Sequence, residues 1–228
     1  AWSGSDQPTG VVFADPGAGK TNLLVSMVDR LTDCQHLPVL IRAKNCIGQS
    51  LSHYLSKQLN LGSLIGLHSF IEKFQDGRRL RKFVVLIDGL NEHHDPEQLF
   101  TEATAFAQQN RCKCLFSCRE VVKLREKLFD IAYPAKPKMF RLELLDLQDL
   151  ERIWERYTKP QQNSKTPLFR IKSSLEEIYY NQPLIYQSLK NPLHLRLFLE
   201  ACDGKSLPKK SKRLLSIWSE YDNTLIGI

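Results

Sequence analysis

Apolar and polar positions along this chain follow two regimes, and the change comes near residue 145. In the first regime short apolar runs alternate with amphipathic stretches. Gly10-Val11-Val12-Phe13-Ala14 reads as a strand, and 20–31 as the helix behind it. Val39-Leu40-Ile41-Arg42 predicts a second strand, and Leu, Ile and Phe then recur at helical spacing over 51–59 and 67–74. Phe83-Val84-Val85-Leu86-Ile87-Asp88 is almost continuously apolar, which marks a strand covered on both faces. Asp95-Pro96 opens a helix to about 109, because proline is tolerated in a first turn. A strand at 113–117, a short helix at 121–129 and a last strand at 139–144 complete this part. Beyond Asp146 strand patterns vanish, and helices are expected at 147–157, 170–180, 192–202 and 211–223. The pattern predicts an α/β domain over 1–145, with a sheet covered by helices, and a helical subdomain over 146–228.

Composition narrows the class. Of 228 residues, 42% are hydrophobic and 25% charged, the balance of a soluble globular protein. No apolar run approaches the roughly 20 residues that cross a bilayer, and the start has no basic and apolar leader pattern. A cytoplasmic setting without membrane contact is expected, and the missing initiator Met suggests a segment of a longer protein. Cysteines stand at 34, 46, 112, 114, 118 and 202, with no C-x-x-C pair, so reduced structural thiols are expected rather than a metal site. The net charge of +7 draws on basic clusters at 78–82 and 205–213. No aromatic residues interleave those charges, so they read first as solvated loops; nucleic acid is a partner class supported by charge alone.

The chemistry concentrates in Ala14-Asp15-Pro16-Gly17-Ala18-Gly19-Lys20-Thr21. This fits G-x-x-x-x-G-K-[ST] with Ala14 in place of the first glycine, between an apolar strand and an amphipathic helix. Gly17 and Gly19 can adopt positive φ and let backbone N–H groups wrap an anion, and the helix N-terminus adds partial positive charge. Lys20 suits β- and γ-phosphates, and the Thr21 hydroxyl suits Mg²⁺. The nucleotide-binding set is Asp15, Pro16, Gly17, Ala18, Gly19, Lys20, Thr21 and Asn22.

A phosphate loop needs a carboxylate for the magnesium shell. Asp88 ends the buried run and is the candidate, although Asp88-Gly89 can also start a turn. Glu92, just beyond, can orient an attacking water or be a surface carboxylate. His93 and His94 read as loop residues. Arg119 follows the strand at 113–117; if that strand neighbours the phosphate-loop strand, Arg119 can meet a γ-phosphate.

These segments together resemble Walker A, Walker B and sensor 1 of NACHT-type STAND ATPases. Leu189-Lys190-Asn191-Pro192-Leu193-His194-Leu195 is similar to that family's proline motif, in which the proline lies against adenine. The resemblance implies a P-loop NTPase with a five-stranded parallel sheet, its sensor strand between the Walker A and Walker B strands, followed by a small helical lid. It implies an ATP/ADP switch with Mg²⁺, slow hydrolysis, self-association of the full-length protein, and effector and sensor domains in cis. Members act in innate immunity, cell death and antiviral defence. Two positions depart from the pattern: Asn91 stands where an acidic pair is common, and Asn191 and Lys190 replace a glycine before Pro192. Two other readings stay open. One is an AAA-type motor or loader, for which Arg196 and Arg213 are the candidate lid arginines; the other is a scaffold that binds nucleotide without hydrolysing it.

Overall fold

The computed structural model describes residues 7–75, 81–119, 126–128, 136–159 and 167–204. These fall into two compact units, one ending at Leu142 and one beginning at Glu143.

The first unit is built on five parallel strands: β1 (Thr9–Ala14), β2 (Leu37–Arg42), β3 (Phe83–Asp88), β4 (Lys113–Arg119) and β5 (Lys138–Arg141). Their order across the sheet is β2-β3-β4-β1-β5, so the late strand β4 lies between the strands that lead to the phosphate loop and to Asp88. This is the sheet the resemblance implies. The three inner strands are almost wholly buried, whereas β2 and β5 are half exposed. Pro38 is accommodated because β2 is an edge strand, where a missing backbone donor need not break a ladder.

Alternation along the strands sorts their side chains onto two faces. Val11, Phe13, Val85, Ile87, Cys114 and Phe116 pack in one cluster with residues of α2 (Leu51–Gln58), α3 (Leu64–Gln75) and α4 (Pro96–Gln109). Val12, Val84, Leu86 and Leu115 face the other way, onto Leu24 and Leu31 of α1 (Lys20–Asp33). Both faces are thus covered, which is why β3 reads as unbroken hydrophobic sequence. The helices begin where side chains cap them. Ser50 accepts from His53 N–H, and Asp95 accepts from Gln98 N–H at 2.9 Å, with Pro96 in the first turn.

The second unit contains α5 (Leu147–Thr158), α6 (Leu175–Asn181), α7 (Pro183–Leu189) and α8 (Pro192–Cys202). Its own core includes Leu150, Trp154, Ile178, Ile185, Leu189 and Phe198. Asp146, Ser174 and Asn191 cap α5, α6 and α8 through their side chains.

Several boundaries differ from the sequence reading. The fifth strand covers 138–141 rather than 139–144, since its pairing with β1 ends at Phe13–Arg141. The expected helix at 170–180 starts only at Leu175, and α7 follows it unannounced because Pro183 begins a new helix at N1. Cys118 and Arg119 belong to β4 instead of following it, held there by pairing with Phe13 and Ala14. Single 3-10 turns at Ala43–Cys46 and Leu90–Glu92 carry no periodic signature. The expected helix at 211–223, most of that at 121–129, and residues 78–80 and 205–213 of the basic clusters lie outside the described residues. Cys112 precedes β4, but like Cys114 it is buried, and the two thiols interact; all six cysteines are free. Among the described residues no helix is long and apolar enough to cross a membrane.

Candidate nucleotide site

Parallel strands bring their carboxyl ends to one edge of the sheet, and that edge carries the candidate chemistry. β1 runs into residues 15–19. Gly17 (φ 77°) and Gly19 (φ 93°) both take the left-handed conformation that favours glycine. A Cβ on Gly19 would meet nothing within 4 Å, so backbone conformation rather than crowding demands glycine there. Gly19 caps α1 without a side-chain bond, and the first turn holds no acidic residue. The first N–H groups of α1 therefore face an edge with no competing carboxylate from their own turn.

Lys20 curls back over this loop. Its ammonium donates to the carbonyls of Ala14 (2.9 Å) and Asp15 (2.8 Å). Burial lowers its pKa, and Arg119 lowers it further, while Asp15 and Asp88 pull it up. Arg119 stands opposite Ala14 in the β1–β4 register. The two cations repel one another, an effect that a polyanion between them would relieve.

The second cluster joins α1, β3 and β4. Thr21 Oγ1 donates to Asp88 Oδ2 at 2.8 Å. Ser117 Oγ donates to Asp88 Oδ1 at 2.5 Å and accepts from Gly89 N–H at 2.9 Å. Both carboxylate oxygens are therefore oriented. Asp88 and Ser117 share the strand parity of Leu86 and Leu115, which places them on the α1 side of the sheet. Sequence reasoning missed Ser117. A serine in an apolar run gives no signal until the strand order is known, when its complete burial opposite an acidic strand end becomes informative.

Gly89 takes φ 74°, and the Glu92 side chain lies over it; a Cβ at position 89 would come 2.9 Å from Glu92 Cδ. The turn is closed by Glu92 N–H donating to Gly89 O at 2.7 Å. Glu92 is exposed, and buried Leu90 anchors the turn in the core. Asn91 Oδ1 accepts the Arg119 N–H at 2.9 Å. Burial pushes the Cys118 thiol up to about 11, partly offset by a hydrogen bond from the Asn91 backbone. His93 is buried and accepts the Asp95 N–H at 3.1 Å, while His94 is exposed.

Donor chemistry suits a hard cation. No cluster of three or more His, Cys, Asp or Glu occurs among the described residues. The paired Thr21 hydroxyl and Asp88 carboxylate supply two oxygen donors, fitting Mg²⁺, which keeps waters and phosphate oxygens for its remaining positions. In the second unit, Pro192 is the first residue of α8, and Asn191 caps that helix through Leu193 N–H at 3.0 Å. The place of Asn191 is thus explained by capping.

No family model and no curated protein matches the chain. Solved structures do. Orc1 from Aeropyrum pernix, in complex with DNA, superposes with a TM-score of 0.56 at 12% identity, covering 96% of this chain and 61% of that one. DnaA from Aquifex aeolicus bound to AMPPCP gives 0.50 at 12% identity, over 85% of this chain and 54% of that one. A DnaA structure with AMPPCP and single-stranded DNA gives 0.52 at 12% identity, over 86% and 55%. The chain shares the fold of these proteins, a five-stranded parallel sheet covered by helices. The chain spans between 54% and 61% of the length of these proteins.

Proposed function

We propose that this chain is the ATP- or ADP-binding switch module of a NACHT-type STAND ATPase, with slow Mg²⁺-dependent hydrolysis governing self-association of a longer protein. The observation that carries the nucleotide reading is the joining of the Lys20-Thr21 loop to Asp88 at the carboxyl edge of the sheet. Residues 15–22 take the phosphates, Thr21 and Asp88 hold Mg²⁺, and Lys20 and Arg119 balance the γ-phosphate charge. Glu92 orients water, and Pro192 contributes an adenine contact. The NACHT assignment is supported by the order of its four motifs and by the central place of β4. A setting in immune or antiviral signalling, in the cytoplasm, with effector and sensor domains in cis, follows from that assignment.

Calorimetry tests the binding step. Lys20→Ala should weaken ATP binding about ten- to a hundredfold, since a charge-assisted contact contributes roughly 1.5–3 kcal/mol. Unchanged affinity in a folded variant would overturn the phosphate-loop assignment. ATP and ADP should bind more tightly than GTP and GDP, and Pro192→Ala should narrow that gap. Steady-state phosphate release should lie well below about 10 s⁻¹, and should fall further in Glu92→Gln.

A second reading, an AAA-type loader, draws on the fold shared with Orc1 and DnaA. It needs a lid arginine free to meet nucleotide. Arg196 is exposed and makes an i,i+4 pair with Glu200 at 2.8 Å along its own helix, and Arg213 lies outside the described residues.

A further inference from the structure

In sequence Asn91 stands out only as a missing carboxylate. Its contacts give it a part of its own. The β3–β4 ladder ends at Ile87–Phe116, three residues short of Arg119. Beyond that point Asn91 Oδ1 supplies an acceptor for the Arg119 N–H at 2.9 Å, so the side chain continues the ladder where the β3 backbone has turned away. Asn91 lies between buried Leu90, which anchors the 3-10 turn, and exposed Glu92, whose side chain lies over Gly89. The backbone at Arg119 is thereby fastened to the short turn that also carries Glu92.

We propose that Asn91 is a positioning residue that fixes the exit of the Arg119 side chain, so that the chain discriminates ATP from ADP through a contact of Arg119 with the terminal phosphate. This rests on the nucleotide reading above. Arg119 is paired with Ala14 of β1 on one side, and on its β3 side, where the ladder has ended, the Asn91 bond holds the strand end against fraying. An arginine leaving a frayed backbone loses the orientation that makes a phosphate contact effective. Because the bond goes to the Arg119 backbone, truncating the guanidinium leaves it in place. The two residues can therefore be separated by mutation.

The test is a double-mutant cycle read by calorimetry with Mg²⁺, using ADP and a non-hydrolysable ATP analogue. Wild type, Asn91→Ala, Arg119→Ala and the double variant are compared. ADP affinity should be similar in all four. The preference for the analogue over ADP should fall about tenfold or more in each single variant, and no further in the double variant. Asn91→Asp keeps the acceptor and should retain most of the wild-type preference. An Asn91→Ala protein with wild-type preference overturns the proposal, as do losses that add in the double variant or a folded Asn91→Asp as impaired as Arg119→Ala. Equal affinity of wild type for the two nucleotides also overturns it while leaving the nucleotide reading in place. Failure to bind either one removes both.

Discussion

Thr21 Oγ1 donates to Asp88 Oδ2 at 2.8 Å, joining the first turn of α1 to the last residue of β3. A hydroxyl and a carboxylate this close offer hard oxygens to a cation, as the proposed Mg²⁺-nucleotide site requires. Asp88→Ala should therefore abolish the Mg²⁺-dependent part of ATP affinity and leave Mg²⁺-free ADP affinity nearly intact. Titrations with and without Mg²⁺ separate the two. Equal losses without the ion would mean that Asp88 acts on the fold.

Ser117 is fully buried and serves both Asp88 Oδ1 and Gly89 N–H. Ser117→Ala leaves both without that partner and should cost about 1–3 kcal/mol in urea unfolding. The Mg²⁺ dependence of ATP binding should weaken with it, whereas Ser117→Thr should keep both. A Ser117→Ala protein of wild-type stability and Mg²⁺ response would mean that Asp88 is oriented by Thr21 alone.

Gly89→Ala strains the backbone and displaces a side chain together. The left-handed φ of 74° costs an L-residue roughly 1–2 kcal/mol, and the new methyl collides with Glu92. The expected outcome is a modest drop in stability, retained ADP binding and loss of phosphate release. If phosphate release persists, the position of Glu92 over Gly89 is irrelevant to turnover.

Lys20 offers a test with a definite sign. Its folded pKa is depressed by burial first and by Arg119 second. A base with a lowered folded pKa binds fewer protons folded than unfolded, so stability rises with pH across the alkaline range just below the ordinary lysine value. Ionised Lys20 thus opposes folding at neutral pH. Lys20→Met should melt no lower than wild type at pH 7 without nucleotide and should lose the alkaline gain, although its ATP affinity should fall. A clearly lower melting temperature would mean that the hydrogen bonds to the Ala14 and Asp15 carbonyls outweigh the charge effect.

Local features were legible and assembled ones were not. The phosphate loop announces itself because its glycines, Lys20 and Thr21 are contiguous and lie between a strand and a helix. Asp88 was legible because β3, buried on both faces, has no polar residue until its end. Position beside the phosphate-loop strand, on which the reading of Arg119 depended, came from the family resemblance, and pairing of Arg119 with Ala14 supplies it. Ser117 and the amide of Asn91 escaped notice because their partners are 28 or 29 residues away on another strand or turn. The start of α7 was missed because Pro183 breaks one helical pattern and opens the next within two residues of Asn181.

The insertion of β4 between β1 and β3 also sets a timetable. β1 is synthesised about a hundred residues before its neighbour β4, which begins at Lys113. At roughly 5–20 residues per second, a ribosome takes on the order of 5–20 s to supply it. Until then β1 and β3 each present an open inner edge, the kind of surface that recruits wrong partners. A nascent chain halted before residue 113 would carry the whole phosphate loop and the carboxylate of Asp88 with no strand to hold them side by side.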